Sequence, residues 1–220
     1  TINDAPFARG DYRPGNYENN FLGPITLRHA LKESRNIPTI RLFDELGSKQ
    51  VLSFANRLGI RTQDFPSNDL TVALGSADVQ PLEMVTAYAT LANGGFKVDP
   101  WFIEQISTDA DGALYLARPA VVCPDCGGLI SEAEQPVSAA PRVLDDRIPF
   151  IMNSMLRSVV EEGSGNRVQR DLQRSDLMGK TGTTNGPQEL WFSGFNRDIA
   201  TTVFVGFDQP QPLGEREQGA

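Results

Sequence analysis

Residues 176–207 read DLMGKTGTTNGPQELWFSGFNRDIATTVFVGF. Three runs rich in apolar, β-branched and aromatic residues end at Thr183, Phe195 and Phe207, and the short turn-forming stretches TNGPQ and NRD separate them. Turns that short join neighbouring strands antiparallel, so the stretch predicts a three-stranded meander. The segment before it is helical in pattern. Ile148, Ile151, Met152, Met155, Leu156 and Val159 recur at helical spacing within 146–162 and predict one long helix with that apolar stripe. Helices first and an antiparallel sheet last give an α+β fold, with helices packed on the sheet.

Further toward the N-terminus, Thr26 is placed to cap a short helix, and Pro38 suits the first turn of a second that Gly47 ends. Ser48 then caps a third, closed by Gly59. PLEMVTAYATLANGG predicts a helix over 81–93, with Leu82, Val85, Ala89 and Ala92 on one face and Gly94-Gly95 as its stop. WFIEQIS and ALYLA flank TDADG, a hairpin pattern. Residues 1–23 read as extended loop. Residues 118–143 lose periodicity around CPDCGG and read as an inserted loop within a single domain spanning 1–220.

Inside the first strand-like run, Lys180-Thr181-Gly182-Thr183-Thr184 places a cation, three hydroxyls and a glycine between apolar residues. Gly179-Lys180-Thr181 imitates the end of a phosphate loop, but that motif needs glycine at position 174, which is Arg. The plain alternative is a polar edge strand whose Lys and Thr guard against aggregation. Strand geometry favours a site: Lys180 and Gly182 share one face and Thr181 and Thr183 the other, while Gly182 leaves room for a ligand backbone. An extended peptide could add to such an edge, with the lysine and hydroxyls left for charged or reacting atoms. Ser34-Arg35-Asn36 joins two of the predicted helices, so Ser34 and Asn36 can face one cleft from the turn between them. On its own, Ser-x-Asn is a common turn composition.

Composition narrows the function. A net charge of −8 opposes a nucleic-acid partner, which needs a basic face. The single histidine, His29, reads as a surface helix residue, so a serine–histidine–aspartate triad is disfavoured and a lysine or carboxylate must carry protons. Cys123 and Cys126 with one distant histidine do not make a four-ligand zinc site, and no metal or other cofactor is expected. Trp191 and Phe192 read as sheet core. TINDAPF at one end and LGEREQGA at the other carry neither an initiating Met nor a closing element, and lead to the expectation that anchor and targeting segments lie outside these residues.

Ser-x-Asn followed about 145 positions later by Lys-Thr-Gly matches two of the three boxes of penicillin-binding proteins and serine β-lactamases. Longer stretches, GPITLRHALKESRNIPTIRL, LTVALGSADVQPLEMVTAYATLANGG and GKTGTTNGPQELWFSGF followed by VFVGFD, resemble class A penicillin-binding proteins of the 1A type. The resemblance covers most of the chain outside roughly 108–143. It implies the penicillin-recognising transpeptidase fold in a membrane-anchored cell-wall synthase at the periplasmic face of the bacterial inner membrane. The expected partners are peptidoglycan stem peptides and β-lactam antibiotics. A periplasmic setting makes a local disulfide or two free thiols the expected state of the cysteines.

One box is missing: no serine in the chain is followed three positions later by lysine. The family pattern implies a Ser-x-x-Lys segment on the order of 20 residues upstream of Thr1. The missing serine would attack a stem peptide's penultimate D-alanine carbonyl. Lys180 would hold Ser34, and Ser34 would pass a proton to the leaving amine. Asn36 would bind the substrate amide and the missing lysine. The Thr183 N–H would contribute to an oxyanion hole, and the Thr181 and Thr183 hydroxyls, next to Gly182, would dock the terminal carboxylate. Rival expectations are a D,D-carboxypeptidase or β-lactamase, in which water takes the acyl group, and a non-enzymatic penicillin-sensing domain.

Overall fold

The computed structural model describes residues 1–109, 112–123, 129–130, 137–184 and 186–214. The chain begins with a short antiparallel pair, β1 (Ile2–Asp4) and β2 (Gly23–Ile25), in register Ile2 to Ile25. The N-terminal segment is therefore not all loop. Its two ends pair, and the residues between fold over Asp4, which receives the Asn16 amide at 2.7 Å and the Leu22 N–H at 3.2 Å.

Helix α1 (Leu27–Lys32) starts where the Thr26 hydroxyl accepts the His29 N–H at 3.1 Å. Helix α2 (Asn36–Leu46) buries Ile37, Ile40 and Phe43, and Ile40 and Phe43 form a core cluster with Leu70. Helix α3 (Ser48–Arg57) follows directly. Ser48 is its first helical residue rather than its cap, because Gly47 (φ +80°) both ends α2 and precedes α3. A 3₁₀ turn (Leu70–Leu74) leads to α4 (Pro81–Ala92), where Glu83 reaches back to the Gln80 N–H at 3.0 Å. The buried face of α4 is Thr86, Ala87 and Thr90, whereas Leu82 is exposed. Threonine tolerates that burial because each hydroxyl bonds to the carbonyl four residues back, Thr86 to Leu82 at 2.7 Å and Thr90 to Thr86 at 3.0 Å.

The expected hairpin forms from β3 (Gln105–Thr108) and β4 (Gly112–Leu116). Within the stretch expected as loop, β5 (Leu129–Ile130) pairs with β6 (Val137–Ser138), Ala140 is buried, and Arg142 stacks over Phe96 at 4.2 Å. Residues 124–128 and 131–136 of that stretch lie outside the described residues, Cys126 among them, and Cys123 is disulfide-bonded.

Helix α5 (Arg147–Glu162) buries Leu156, Val159 and Val160. The N-terminal part of the expected stripe departs from this, since Ile148 and Ile151 are exposed. A seven-residue helix, α6 (Asn166–Leu172), was hidden by its polar composition, NRVQRDL. Strands β7 (Met178–Thr183), β8 (Glu189–Phe195) and β9 (Ala200–Gly206) form the antiparallel meander in the order β7-β8-β9. Helix α5 packs on β7, α4 packs on β8 and β9, and α1 packs on α5. Tyr88 of α4 meets Phe195 of β8 edge-on at 6.1 Å. The result is an α+β fold in which β7 is an edge strand facing the α1–α2 turn.

Candidate active site

Lys180 and Ser34, 146 positions apart, meet: the Lys180 Nζ donates to the Ser34 Oγ at 2.7 Å. Lys180 starts on the face of β7 that it shares with Gly182, and its cross-strand neighbour is Ser193. Its Nζ also donates to the Thr181 carbonyl at 2.9 Å and lies 3.4 Å from the Thr181 Oγ1, so the side chain bends round the free edge of the strand. Burial pushes the Lys180 ammonium down to about 8, because the low-dielectric surroundings disfavour the charged form.

Ser34 sits in the turn after α1 with a left-handed backbone, φ +53°, a conformation uncommon outside glycine, asparagine and aspartate. Its N–H bonds to Leu31 O at 3.1 Å, and the Arg35 N–H to Ala30 O at 2.9 Å, which closes α1. Arg35 is buried and binds Asp4, Glu18 and Asn20, so the turn is anchored from beneath. Because Lys180 as an ammonium only donates, Ser34 Oγ accepts from it and keeps its own proton for another acceptor. Asn36 opens α2 and turns its amide to Gly15 O at 3.0 Å.

Thr181 lies on the opposite face of β7 from Gly182, and its hydroxyl meets Ser164 Oγ at 2.9 Å. Ser164 belongs to the turn between α5 and α6, and no sequence signal marked it. Gly182 faces Trp191 across the ladder, where an added Cβ would lie 3.0 Å from the Trp191 Cβ. The strand pair itself therefore uses the space that the glycine leaves. Trp191 in turn packs on Phe204 at 4.7 Å. Thr183 ends β7 opposite Leu190. His29 is half-buried in α1, away from these bonds.

The arrangement is a cleft edge carrying one partly desolvated ammonium and several hydroxyls, on a strand that pairs on one side only, with β8, among the strands of the described residues. It is suited to holding an acyl compound with a carboxylate and to moving a proton through Ser34.

Comparison with known proteins identifies the family. The family model described as penicillin binding protein transpeptidase domain matches residues 1–219. Penicillin-binding protein 1A of Pseudomonas aeruginosa is 40% identical over 99% of this chain, which is 31% of that relative's length. The corresponding Escherichia coli protein is 32% identical over 94% of the chain and 30% of its own length. The chain thus spans about a third of the length of these curated relatives. Among solved structures, penicillin-binding protein 1A from Haemophilus influenzae superposes with a TM-score of 0.86 at 30% identity, over 98% of this chain and 36% of the other. The PonA1 protein from Mycobacterium tuberculosis, in complex with penicillin V, gives 0.75 at 20% identity over 96% and 56% of the two chains. That second likeness concerns the fold.

Proposed function

Since the chain belongs to the penicillin binding protein transpeptidase domain family, we propose that it serves peptidoglycan D,D-transpeptidation and is a target of β-lactams. The observation that carries the reading is the 2.7 Å contact between Lys180 Nζ and Ser34 Oγ, with Ser34 exposed to the cleft.

In this reading a serine from a Ser-x-x-Lys segment, absent from the 220 residues, attacks the carbonyl of the penultimate D-alanine of a stem peptide. A new ester C–O bond forms as the attacking serine gives up its proton, and the C–N bond breaks. The terminal D-alanine leaves as its amine after taking a proton from Ser34, which the attacking serine's proton then replaces. A neighbouring stem's amine then attacks the ester, an amide forms, and the serine oxygen recovers a proton. Dividing the exchange into two acyl transfers replaces one hard step by two easier ones. Lys180 keeps the site electropositive and holds Ser34. The Thr183 N–H belongs to the oxyanion hole, and the Thr181 and Thr183 hydroxyls dock the terminal carboxylate. Asn36 receives the substrate amide once its bond to Gly15 O is exchanged.

The chain spans about a third of the length of its curated relatives. The resemblance to class A penicillin-binding proteins extends the reading to a larger synthase that also carries glycosyltransferase activity and is anchored with this part in the periplasm. Among the described residues no helix is long and apolar enough to cross a membrane. The test is to supply the full-length protein with pentapeptide-bearing glycan strands and analyse the muropeptides. Cross-linked dimers are expected. Trimmed monomers alone would assign the protein to carboxypeptidase chemistry instead, and no turnover with stable penicillin labelling would assign it to sensing.

A further inference from the structure

Ser164 lies between Gly163 and Gly165 in the turn that joins α5 to α6, and that turn is fastened on two sides. Its N–H donates to Lys32 O at 3.1 Å, two residues before Ser34. Its hydroxyl meets the Thr181 Oγ1 at 2.9 Å. The fit against Lys32 is tight: a Cβ added to Gly163 would come within 2.4 Å of Lys32 O. Glu162 adds an ion pair to Lys32 at 3.2 Å. The height of the Ser164 hydroxyl above β7 is therefore set by α1, the helix that leads into Ser34.

We propose that Ser164 is a positioning residue of the carboxylate dock, directing its own proton to Thr181 so that the Thr181 proton is left for a ligand carboxylate. A threonine hydroxyl has one donor and two acceptor positions. The Lys180 ammonium, 3.4 Å from Thr181 Oγ1, can only be met by an acceptor position. If Ser164 donates as well, both acceptor positions are filled and the Thr181 O–H points out into the cleft. A carboxylate offers acceptors alone, so its arrival selects that arrangement over the reverse one, in which Thr181 spends its proton on Ser164. Ser164 thus sets the polarity of the dock without touching the ligand. The inference rests on the reading above that Thr181 docks the substrate carboxylate.

The test uses the full-length protein with Ser164→Ala, Ser164→Thr and Thr181→Val, and two probes, benzylpenicillin and its methyl ester. Stopped-flow labelling separates the pre-covalent Kd from the acylation rate constant. Ser164→Ala is expected to weaken the Kd for benzylpenicillin about 5-fold, the value of one ordinary hydrogen bond, with little change for the ester, while Ser164→Thr restores the wild-type value. An equal loss for acid and ester, or a loss that threonine does not rescue, makes Ser164 merely structural and overturns the proposal. So does an unchanged Kd. Thr181→Val separates the two levels: if it leaves acid-over-ester preference intact, the dock itself is misassigned, and if it abolishes the preference while Ser164→Ala leaves it unchanged, only the role of Ser164 falls.

Discussion

The Arg35 guanidinium lies 2.8 Å from the Asp4 carboxylate, with side-chain exposures of 4% and 0%. The pair is buried but shallow, since Glu18, on another arm of the guanidinium at 2.8 Å, is half exposed. Asn20 accepts two further bonds at 2.7 Å. This network ties the N-terminal segment to the residue between Ser34 and Asn36, and it braces the left-handed backbone at Ser34. Removing one member leaves a buried charge short of partners. Asp4→Ala is expected to destabilise the protein by about 3–5 kcal/mol, measured by urea unfolding, and to slow penicillin labelling because the Ser34 turn loosens. Unchanged stability would mean that the network is dispensable.

The same pair has a pH signature. Burial pushes the Asp4 carboxyl upward, but bonds from Asn16, Arg35 and the Leu22 N–H together outweigh it and hold the group below the ordinary carboxylate value. The folded state therefore binds the proton less readily than the unfolded chain. The stabilisation is fully present above the unfolded value of about 3.9 and is lost as pH falls through the lower folded value. Other carboxylates share this acid limb, Asp69 and Asp176 among them, so the comparison between variants is what counts. Asp4→Asn is expected to flatten the loss of stability below about pH 4 relative to wild type. Parallel curves would remove Asp4 from the account.

Lys180 titrates in the opposite direction from most lysines that gain a partner. With its folded value near 8 and the unfolded one at about 10.4, the unfolded chain binds more protons across that window. Stability should therefore rise with pH between the two values, and Lys180→Met should abolish the rise. Function should move the other way, because the ammonium that holds Ser34 is lost above pH 8. Lys180→Ala is expected to slow acylation by penicillin by at least ~100-fold. In wild type the acylation rate should fall as pH passes about 8. In Lys180→Arg, whatever its absolute rate, that fall should vanish. A fall that persists in Lys180→Arg assigns the titration to another group.

What was legible in the sequence follows from what is local. The meander β7-β8-β9 could be read because strand-like runs joined by short turns specify antiparallel neighbours, and the Lys180 element stood out because hydroxyls and a cation are misplaced among apolar residues. Ser34, in a common turn composition, gained meaning only when paired with Lys-Thr-Gly. The Asp4–Arg35 pair was not legible: the two charges are 31 positions apart and each is ordinary in its own segment. Ser164 was silent for the same reason, as a serine between glycines after a helix is routine turn chemistry. The apolar stripe of α5 was read too far toward its N-terminus, since periodicity reports which residues share a face but not how far the neighbouring elements extend. On α4 the buried threonines misled in the other direction, because their back-bonds to the helix make a polar residue acceptable inside.

Gly163 offers a check on how closely α1 and the α5–α6 turn must approach. Its added Cβ would meet Lys32 O at 2.4 Å and Lys32 Cγ at 2.6 Å, and the oxygen belongs to the backbone and cannot swing aside. At Gly165 the nearest atom is 3.4 Å away. Gly163→Ala is expected to cost about 1–3 kcal/mol and to slow penicillin labelling, since it pushes Lys32, and with it Ser34, away from β7. Gly165→Ala should cost clearly less. If the two alanines behave alike, the tight approach is not what sets the spacing of the site.

The position of the nucleophile closes the chemical argument. Ser34 is the one hydroxyl bonded to Lys180 at 2.7 Å among the described contacts, which makes it the tempting candidate. Its geometry argues against that role. An attacking serine needs a base to take its proton, and the group bonded to Ser34 is an ammonium that donates and stays mostly charged below about 8. Ser34 is thus set up to give a proton away. No serine of the chain stands three positions before a lysine, the arrangement that would put an amine one helical turn from a hydroxyl. After β-lactam treatment of the full-length protein, peptide mass spectrometry is expected to find the acyl adduct on a serine of a Ser-x-x-Lys sequence outside these 220 residues. Ser34→Ala should then slow labelling without moving the adduct. An adduct on Ser34, or on any other serine of this chain, would refute the proton-relay role and make the Lys180–Ser34 pair the nucleophilic centre itself.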